Sequence, residues 1–388
     1  MGSQPVLALQ EWEQFVLPHS LRLLGEYQHL IGAGAVVAAT NLRLRVTAEA
    51  TGGPPAIELG RWADTDTGWS PFEGDSIAAR VVCWERALQV AVDGEPGALH
   101  GLAVRLDFGP LAGLVPADVL AASPAVALAL AVAGTGFRGE GDRATAEDLA
   151  RLACRIKALA DPPGTSHADR FHAEMLQSIL GGVAFVSSEG DRLNVQPLLP
   201  PDSLLLGVVP DPQAPPVAPE PLARVAEALA RVRGRNGRLA GGDEGMAELF
   251  RIGRDELTDE QTGLLYGLMR VREMADGFLE GLGDEVVDND RLAEICDEES
   301  AILTDYLGLA PGPYAAVRAA ASEAGALGLR LTWAFGGCLA ALIIAPGRRE
   351  QVGEALARRF PRASFLVINV EPEGLRPAPE EDDWDPGP

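Results

Sequence analysis

The chain has 388 residues, 47% of them hydrophobic, which is enough for two packed domains. Its formal net charge is -24, from 56 acidic and 32 basic residues, so its field opposes contact with nucleic-acid phosphates and anionic membrane surfaces. Four scattered cysteines without a CxxC pair exclude the common zinc and thioredoxin-like patterns.

Targeting and membrane-spanning segments are not apparent in the sequence. The chain does not open on basic residues followed by an apolar run. Its longest apolar run, 125–134, is shorter than the roughly 20 residues that cross a bilayer. We therefore expect a cytoplasmic protein that has neither a membrane nor a nucleic acid as a partner.

The first half of the chain mixes predicted strands and helices. Alternation and β-branched runs predict strands over 42–48, 80–92 and 102–108. Helical patterns, with the start signals Pro124 and Thr145 in the first two, cover 124–132, 144–159 and 171–180.

The second half begins with an apolar strand over 204–209 and a segment, 210–221, in which six prolines exclude helix and strand. Four helices are then predicted, at 222–233, 245–252, 258–281 and 288–307. A helix, two strands, a helix and a strand follow, at 312–324, 329–333, 339–344, 348–360 and 364–370. This order suits a two-layer sandwich of ferredoxin-like type. Acidic, proline-rich residues 372–388 predict a disordered tail.

Residues 325–338 are the most specific motif and read GALGLRLTWAFGGC. They resemble the third signature of the galactokinase branch of the GHMP small-molecule kinases, which typically reads GALGARMTGGGFGGC. Trp333 and Ala334 stand where that pattern has three glycines. The resemblance implies an α/β fold of two domains, a mixed-sheet domain over 1–205 and a ferredoxin-like α/β sandwich over 206–371, with a cleft between them.

Residues 17–34 read LPHSLRLLGEYQHLIGAG and resemble the family's sugar-binding signature, APGRVNLIGEHTDYNGG. The resemblance places Glu26 where a carboxylate hydrogen-bonds a sugar hydroxyl, and Tyr27 and His29 at further substrate positions. A neutral imidazole at His29 accepts one hydrogen bond, whereas the family's aspartate there accepts from two hydroxyls. His19, Glu26 and His29 match no usual metal-ligand spacing, so no metal site is predicted.

Three residues are candidates for catalysis. Ser20 stands where the family has its catalytic arginine, and a hydroxyl cannot supply the charge or the fork of a guanidinium. Arg22 would lie on the same face of a strand and is the candidate to replace that charge. Residues 171–182 resemble the segment that carries the family's catalytic base, which places Glu174 at the base position.

The nucleotide-binding segments are altered as well. Residues 115–124 read VPADVLAASP and resemble the phosphate loop VPLGAGLSSS, but both glycines are replaced. Asp118 then places negative charge where phosphate would bind, and Ser123 is the surviving hydroxyl or a simple helix N-cap. In the third signature, the resemblance assigns three residues to the nucleotide: Thr332, Gly336 and Gly337.

Two functions stay open. The four matches, which include residues 296–311, follow the family's order, and this disfavours an unrelated protein. A pseudokinase would keep the fold as a regulatory or binding module, with a protein or a sugar-like molecule as partner. An active kinase of carbohydrate metabolism would use ATP and Mg²⁺ to phosphorylate a hydroxyl of a sugar or related small molecule. Losing one electrostatic element costs about 10²–10³ in rate, so we favour the pseudokinase and doubt ATP binding.

Overall fold

The computed structural model describes a large part of the chain. The described residues are 6–7, 14–25, 28, 33–50, 56–62, 69–73, 75–93, 102–109, 122–136, 144–160, 172–189, 192–199, 204–209, 229, 247, 251, 257–282, 289–306, 314–332, 339–344 and 347–378. Two compact units interleave along the chain. The first unit comprises Met1–Leu21, Ala38–Val183 and Asn369–Pro388, and the second comprises Arg22–Val37 and Ala184–Ile368. The domain boundary at residue 205 stays a prediction.

Within the described ranges, ten strands form a short ribbon and a large mixed sheet. In chain order they are β1 Val6–Leu7, β2 Gln14–Leu24, β3 Ala35–Ala50, β4 Ala56–Trp62, β5 Trp69–Pro71, β6 Leu102–Asp107, β7 Ala144–Thr145, β8 Val183–Glu189, β9 Arg192–Leu198 and, near the end of the chain, a last strand at Arg376–Pro377. Strands β1 and β7 make the ribbon. In the large sheet the last strand lies next to β2, and β3, β6, β4 and β5 follow in that order. Strand β8 pairs with β3 and β9. Strands β4 and β6 are parallel and β3 and β6 antiparallel, so the predicted mixed sheet is confirmed.

Among the residues that the structure describes, four helices belong to the first unit: α1 Asp75–Asp93, α2 Ala122–Gly136, α3 Ala146–Ala160 and α4 His172–Leu180. Helix α3 begins at the predicted signal, because Thr145 Oγ1 accepts from the Asp148 N–H at 3.1 Å and Asp148 Oδ2 accepts from the Thr145 N–H at 3.1 Å. Helix α2 begins at Ala122, so Ser123 lies in its first turn rather than ahead of it.

The strand predicted over 80–92 is wrong, because this segment lies within α1. Its valines and tryptophan favour a strand by composition. The buried side chains, however, are Trp84, Ala87 and Leu88, which have helical spacing, while Val82 and Val90 are exposed. Topology explains the outcome further: the parallel strands β4 and β6 need a crossover connection, and α1 lies in the chain between them.

The described part of the second unit includes a four-stranded antiparallel sheet and the four helices given below. Its strands are β10 Leu204–Val209, β11 Gly328–Thr332, β12 Leu339–Ile344 and β13 Ser364–Ile368, in the order β11-β12-β10-β13. The helices are α5 Asp259–Leu282, α6 Asn289–Asp305, α7 Tyr314–Glu323 and α8 Arg349–Arg359. This arrangement confirms the predicted ferredoxin-like sandwich. The core includes Leu268, Leu303, Val317, Leu329, Val352 and Leu356.

Residues 369–378, which we call the C-terminal strap, continue the fold of the first unit. The last strand of the chain, named β14 from here on, pairs through Arg376 with Val16 of β2. The Leu375 N–H donates to the Ile179 carbonyl at 3.0 Å. The predicted tail therefore does not begin at 372, since a buried leucine and a sheet pairing order residues 372–378. Across the described part of the chain, no helix has both the length and the apolar character needed to cross a bilayer.

Candidate functional site

Ser20, at the position of the family's catalytic arginine, lies on β2 in the first unit. Its hydroxyl donates to the main-chain carbonyl of Glu174 at 2.7 Å and accepts from the Ser178 hydroxyl at 3.1 Å. Ser20 is 4% exposed, Glu174 1% and Ser178 0%. The Ser20 hydroxyl therefore works inside the fold, where it ties β2 to helix α4.

Glu174, the candidate base, lies in the first turn of α4, where a carboxylate is favoured by the partial positive charge of the helix N-terminus. The structure brings Glu174 and Ser20 together, as the resemblance implies, and the contact uses the main-chain carbonyl of Glu174. Six consecutive residues of α4, from Glu174 to Ile179, are buried. The role of the Glu174 carboxylate as a base stays a prediction.

Arg22, the candidate replacement for the lost charge, lies in the second unit. Its side chain is buried, and Nη1 donates to the Gly25 carbonyl at 3.3 Å. The guanidinium thus contacts the short turn that follows β2, called the Gly25 turn from here on, in which the Gln28 N–H donates to the Gly25 carbonyl at 3.2 Å. This contact gives Arg22 a local structural role, and its action on a phosphoryl group stays a prediction.

A buried ion pair lies beside this turn, also within the second unit. Arg330 Nη1 is 3.3 Å from Glu299 Oε1, and the two side chains are 0% and 2% exposed. Arg330 Nε donates to the Arg22 carbonyl at 3.3 Å. Glu299 Oε2 accepts from the Gly25 N–H at 3.2 Å. The pair therefore binds the backbone at Arg22, near the end of β2, and at Gly25, where the Gly25 turn begins.

Gly25 is required at this turn by its conformation and its surroundings. Its φ is +82°, in the region that favours glycine. A Cβ at this position would lie 2.7 Å from the Gly34 carbonyl oxygen and 2.9 Å from the Ala35 Cα. Gly25 therefore survives from the sugar-binding signature for a backbone reason.

Several predicted site residues cannot be placed. Glu26, Tyr27, His29, Asp118, Gly336 and Gly337 lie outside the described residues. Thr332 ends β11 opposite Leu339 of β12, which fixes its backbone position. Within the described ranges no group of three or more His, Cys, Asp or Glu side chains is placed to hold a metal ion, so a role for Mg²⁺ rests on the resemblance alone.

Sequence reasoning missed the residues that hold the Gly25 turn, which are Glu299, Arg330 and Gln28. It also missed Ser178, whose hydroxyl donates to Ser20. Arg330 carried a signal, because a charged residue between Leu329 and Leu331 of a buried strand needs a partner. The sequence could not identify Glu299 as that partner, because residues 296–300 include four acidic or polar side chains within about one helical turn.

His19 is buried on β2, and burial lowers its pKa to about 3, because the imidazolium would lose its hydration. The unfolded chain binds this proton near pH 6.5 and the folded chain does not, so folding stability is lost as the pH falls from 6.5 toward 3. We expect His19 to contribute a loss of about 2 kcal/mol between pH 7 and pH 5. His19→Gln should remove that part of the loss in urea titrations, and equal pH dependence in both proteins would contradict the expectation.

The fold is similar to solved kinase structures over nearly its whole length. Lactococcus lactis galactokinase, complexed with galactose, has a TM-score of 0.70 at 17% identity, covering 95% of this chain and 96% of that chain. Mevalonate kinase of L. major, in complex with R-mevalonate, has a TM-score of 0.61 at 16% identity, covering 96% and 100%. Methanococcus jannaschii mevalonate kinase has a TM-score of 0.57 at 10% identity, covering 95% and 99%.

Sequence comparison adds one regional match. Residues 281–362, which include α6, α7, β11 and β12, match the family model described as GHMP kinases C terminal. No curated protein matches the chain significantly. The regional match and the structural neighbours agree with each other and with the resemblance of the signatures. The chain therefore has the fold of the GHMP kinases, and residues 281–362 correspond to the C-terminal region of that family.

Proposed function

We propose that this protein is a galactokinase-like pseudokinase, that is, a cytoplasmic binding or regulatory module that does not transfer the γ-phosphoryl group of ATP. The observation that carries the proposal is the environment of Ser20. A neutral hydroxyl stands at the position of the catalytic arginine, and its hydrogen bonds run to Glu174 and Ser178 inside the fold.

The physical argument concerns charge. Phosphoryl transfer depends on positioning and on positive groups around the equatorial oxygens of the transferred phosphoryl. Ser20 supplies no charge, and the Arg22 guanidinium is buried against the Gly25 carbonyl. Asp118 adds a negative charge to the segment that resembles the phosphate loop. The net charge of -24 further opposes the approach of a nucleotide anion.

We infer that the ligand class is a sugar or a related polyhydroxy molecule. Gly25 of the sugar-binding signature is retained, with a φ of +82°, and Glu26, a candidate hydroxyl acceptor, follows it directly in the sequence. Tyr27 and His29 are the neighbouring candidates for contact with the ligand. The galactokinase of similar fold was solved with galactose, which makes hexoses the first probes.

The test is the melting temperature of the protein with Mg-ATP, Mg-ADP and a panel of hexoses. A ligand at a hundredfold excess over its Kd stabilises the folded state by about 2.7 kcal/mol. We expect no shift with millimolar nucleotide and a shift with at least one sugar. Glu26→Gln should abolish the sugar shift, whereas Glu350→Gln, at an exposed position of α8, should leave it unchanged.

The alternative function is an active kinase that uses ATP and Mg²⁺, and it predicts a different set of melting-temperature shifts. A melting-temperature shift with nucleotide that one sugar increases would favour that alternative. If neither a sugar nor a nucleotide shifts the melting temperature, the sugar-binding proposal fails as well, and a protein partner becomes the ligand to seek.

A further inference from the structure

We propose that Glu299 and Arg330 are positioning residues for the sugar-binding signature: their buried ion pair sets the backbone at the end of β2 and at the Gly25 turn, which Glu26 follows in the sequence. The part of this proposal that concerns a sugar rests on the proposed function. The part that concerns the turn rests on the contacts of the second unit alone.

Three elements of the second unit hold the turn. Glu299 of α6 accepts the Gly25 N–H, and Arg330 of β11 donates to the Arg22 carbonyl. The Gln28 side chain donates through Nε2 to the Leu268 carbonyl of α5 at 3.0 Å. The Gln28 N–H in turn donates to the Gly25 carbonyl at 3.2 Å. The turn is therefore fixed at its beginning and three residues after Gly25.

The thiol of Cys296 adds a further bond to the same segment. Its Sγ donates to the Leu23 carbonyl at 3.3 Å. Burial raises the pKa of this thiol to about 12, so it stays protonated and keeps its donor. Together with Glu299, one turn further along α6, Cys296 binds the backbone between Arg22 and Gly25 from one helix face.

The presence of a buried ion pair beside Gly25 indicates that the pair serves to fix the backbone geometry rather than to add stability. A buried ion pair gives little stability over well-packed apolar side chains of similar volume, because both charges lose their hydration. A carboxylate, however, can accept the N–H of a residue with positive φ, and an apolar side chain cannot. Glu299 thereby fixes the peptide plane at Gly25, and Arg330 fixes the direction of Glu299.

The contact also joins the two signatures. Arg330 belongs to the third signature, and the Arg22 carbonyl belongs to the sugar-binding signature. A displacement of the turn therefore changes a contact of β11, which runs directly into the segment assigned to the nucleotide. We expect that the loss of the ion pair releases the turn while the rest of the second unit keeps its structure.

The experiment compares four proteins: the wild type, Glu299→Gln, the double variant Glu299→Leu/Arg330→Met, and a control. The control is Glu323→Gln/Arg359→Gln, which removes a pair in the same unit whose side chains are 70% and 54% exposed. Hydrogen exchange by mass spectrometry is followed over 22–33 and over helix 349–359. The Kd for D-galactose is measured on the same samples.

The double variant should melt closer to the wild-type temperature than Glu299→Gln, because it removes both charges of the pair together. Its exchange over 22–33 should rise at least tenfold, with 349–359 unchanged, and its Kd for D-galactose should rise at least tenfold. In exchange over 22–33 and in Kd, Glu299→Gln should lie between the double variant and the wild type, since an amide oxygen can still accept the Gly25 N–H. Its melting temperature should fall, because the Arg330 guanidinium stays buried without the Glu299 carboxylate. The control should match the wild type in each measurement.

Wild-type exchange over 22–33 in the double variant would overturn the proposal. A rise that is equal over 22–33 and 349–359 would also overturn it, because the pair would then serve the stability of the whole unit. If the double variant does not fold, Glu299→Gln decides by the same criteria. If the wild type binds no D-galactose, the exchange result still decides the positioning role, and only the sugar proposal fails.

Discussion

Arg330→Met should lower the free energy of unfolding by about 3–5 kcal/mol, the range for breaking a buried ion pair on one side. Arg330 is fully buried, and the Glu299 carboxylate beside it is 2% exposed. Without the guanidinium, that carboxylate stays buried and loses the positive charge of Arg330. Urea titration at pH 7.5 measures the loss.

The exposed pair of Arg359 and Glu323 is the matched control for this prediction. Its two side chains are 54% and 70% exposed, at a distance of 3.0 Å. Arg359→Gln should change the free energy of unfolding by less than about 1 kcal/mol, because solvent screens the pair. Similar losses in Arg330→Met and Arg359→Gln would show that the buried pair does not carry the expected penalty.

Gly181→Ala should be strongly destabilising, whereas Gly182→Ala, one residue later, should be mild. Both glycines have positive φ, +80° and +71°, so alanine at either position strains the backbone by about 1–2 kcal/mol. A Cβ at Gly181 would also lie 2.3 Å from the Gly374 nitrogen and 2.5 Å from the Glu373 carbonyl carbon. A Cβ at Gly182 meets nothing within 4 Å.

The difference between the two variants isolates the contact of α4 with the C-terminal strap. We expect a loss of about 2–5 kcal/mol for Gly181→Ala, the sum of strain and overpacking. The strap should also become sensitive to proteolysis in Gly181→Ala and stay resistant in Gly182→Ala. Equal losses of unfolding free energy in both variants would contradict the close approach of the strap to this turn.

Local signals in the sequence predicted many of the elements, because helix ends are set by neighbouring residues. Thr145 and Asp148 form the start of α3, and Gly181 follows the last residue of α4. Segment 80–92 shows the limit of such signals. Its β-branched composition favours a strand, and only the crossover between β4 and β6 and the burial of Trp84 make it a helix.

The candidate site was harder to predict, because its contacts join distant parts of the chain. Ser20 and Glu174 are 154 residues apart in sequence, and Glu299 and Gly25 are 274 apart. The resemblance placed Ser20 and Glu174 in one site, and the structure brings them together. It gave no reason to expect that the Ser20 hydroxyl bonds to the main chain rather than to a ligand.

The third signature illustrates why a surviving motif need not preserve chemistry. Gly328 packs so closely on α6 that a Cβ would lie 2.4 Å from the Ala293 carbonyl oxygen. Gly325 has a φ of +93°, and Arg330 holds the buried ion pair. Gly325, Gly328 and Arg330, in the part of the motif that matches the family, are therefore explained by backbone conformation and packing. The altered part, Trp333 and Ala334, follows it in the sequence where the resemblance assigns the nucleotide.

The most direct test of the pseudokinase proposal is transfer of the labelled γ-phosphoryl group from Mg-ATP to a panel of hexoses at micromolar protein. We predict no phosphorylated sugar above the rate without protein, since kinases of ordinary activity turn over at about 1–100 s⁻¹. Glu174→Gln serves as the control for the origin of any activity. A turnover within that range which Glu174→Gln abolishes would contradict the proposal and establish an active kinase.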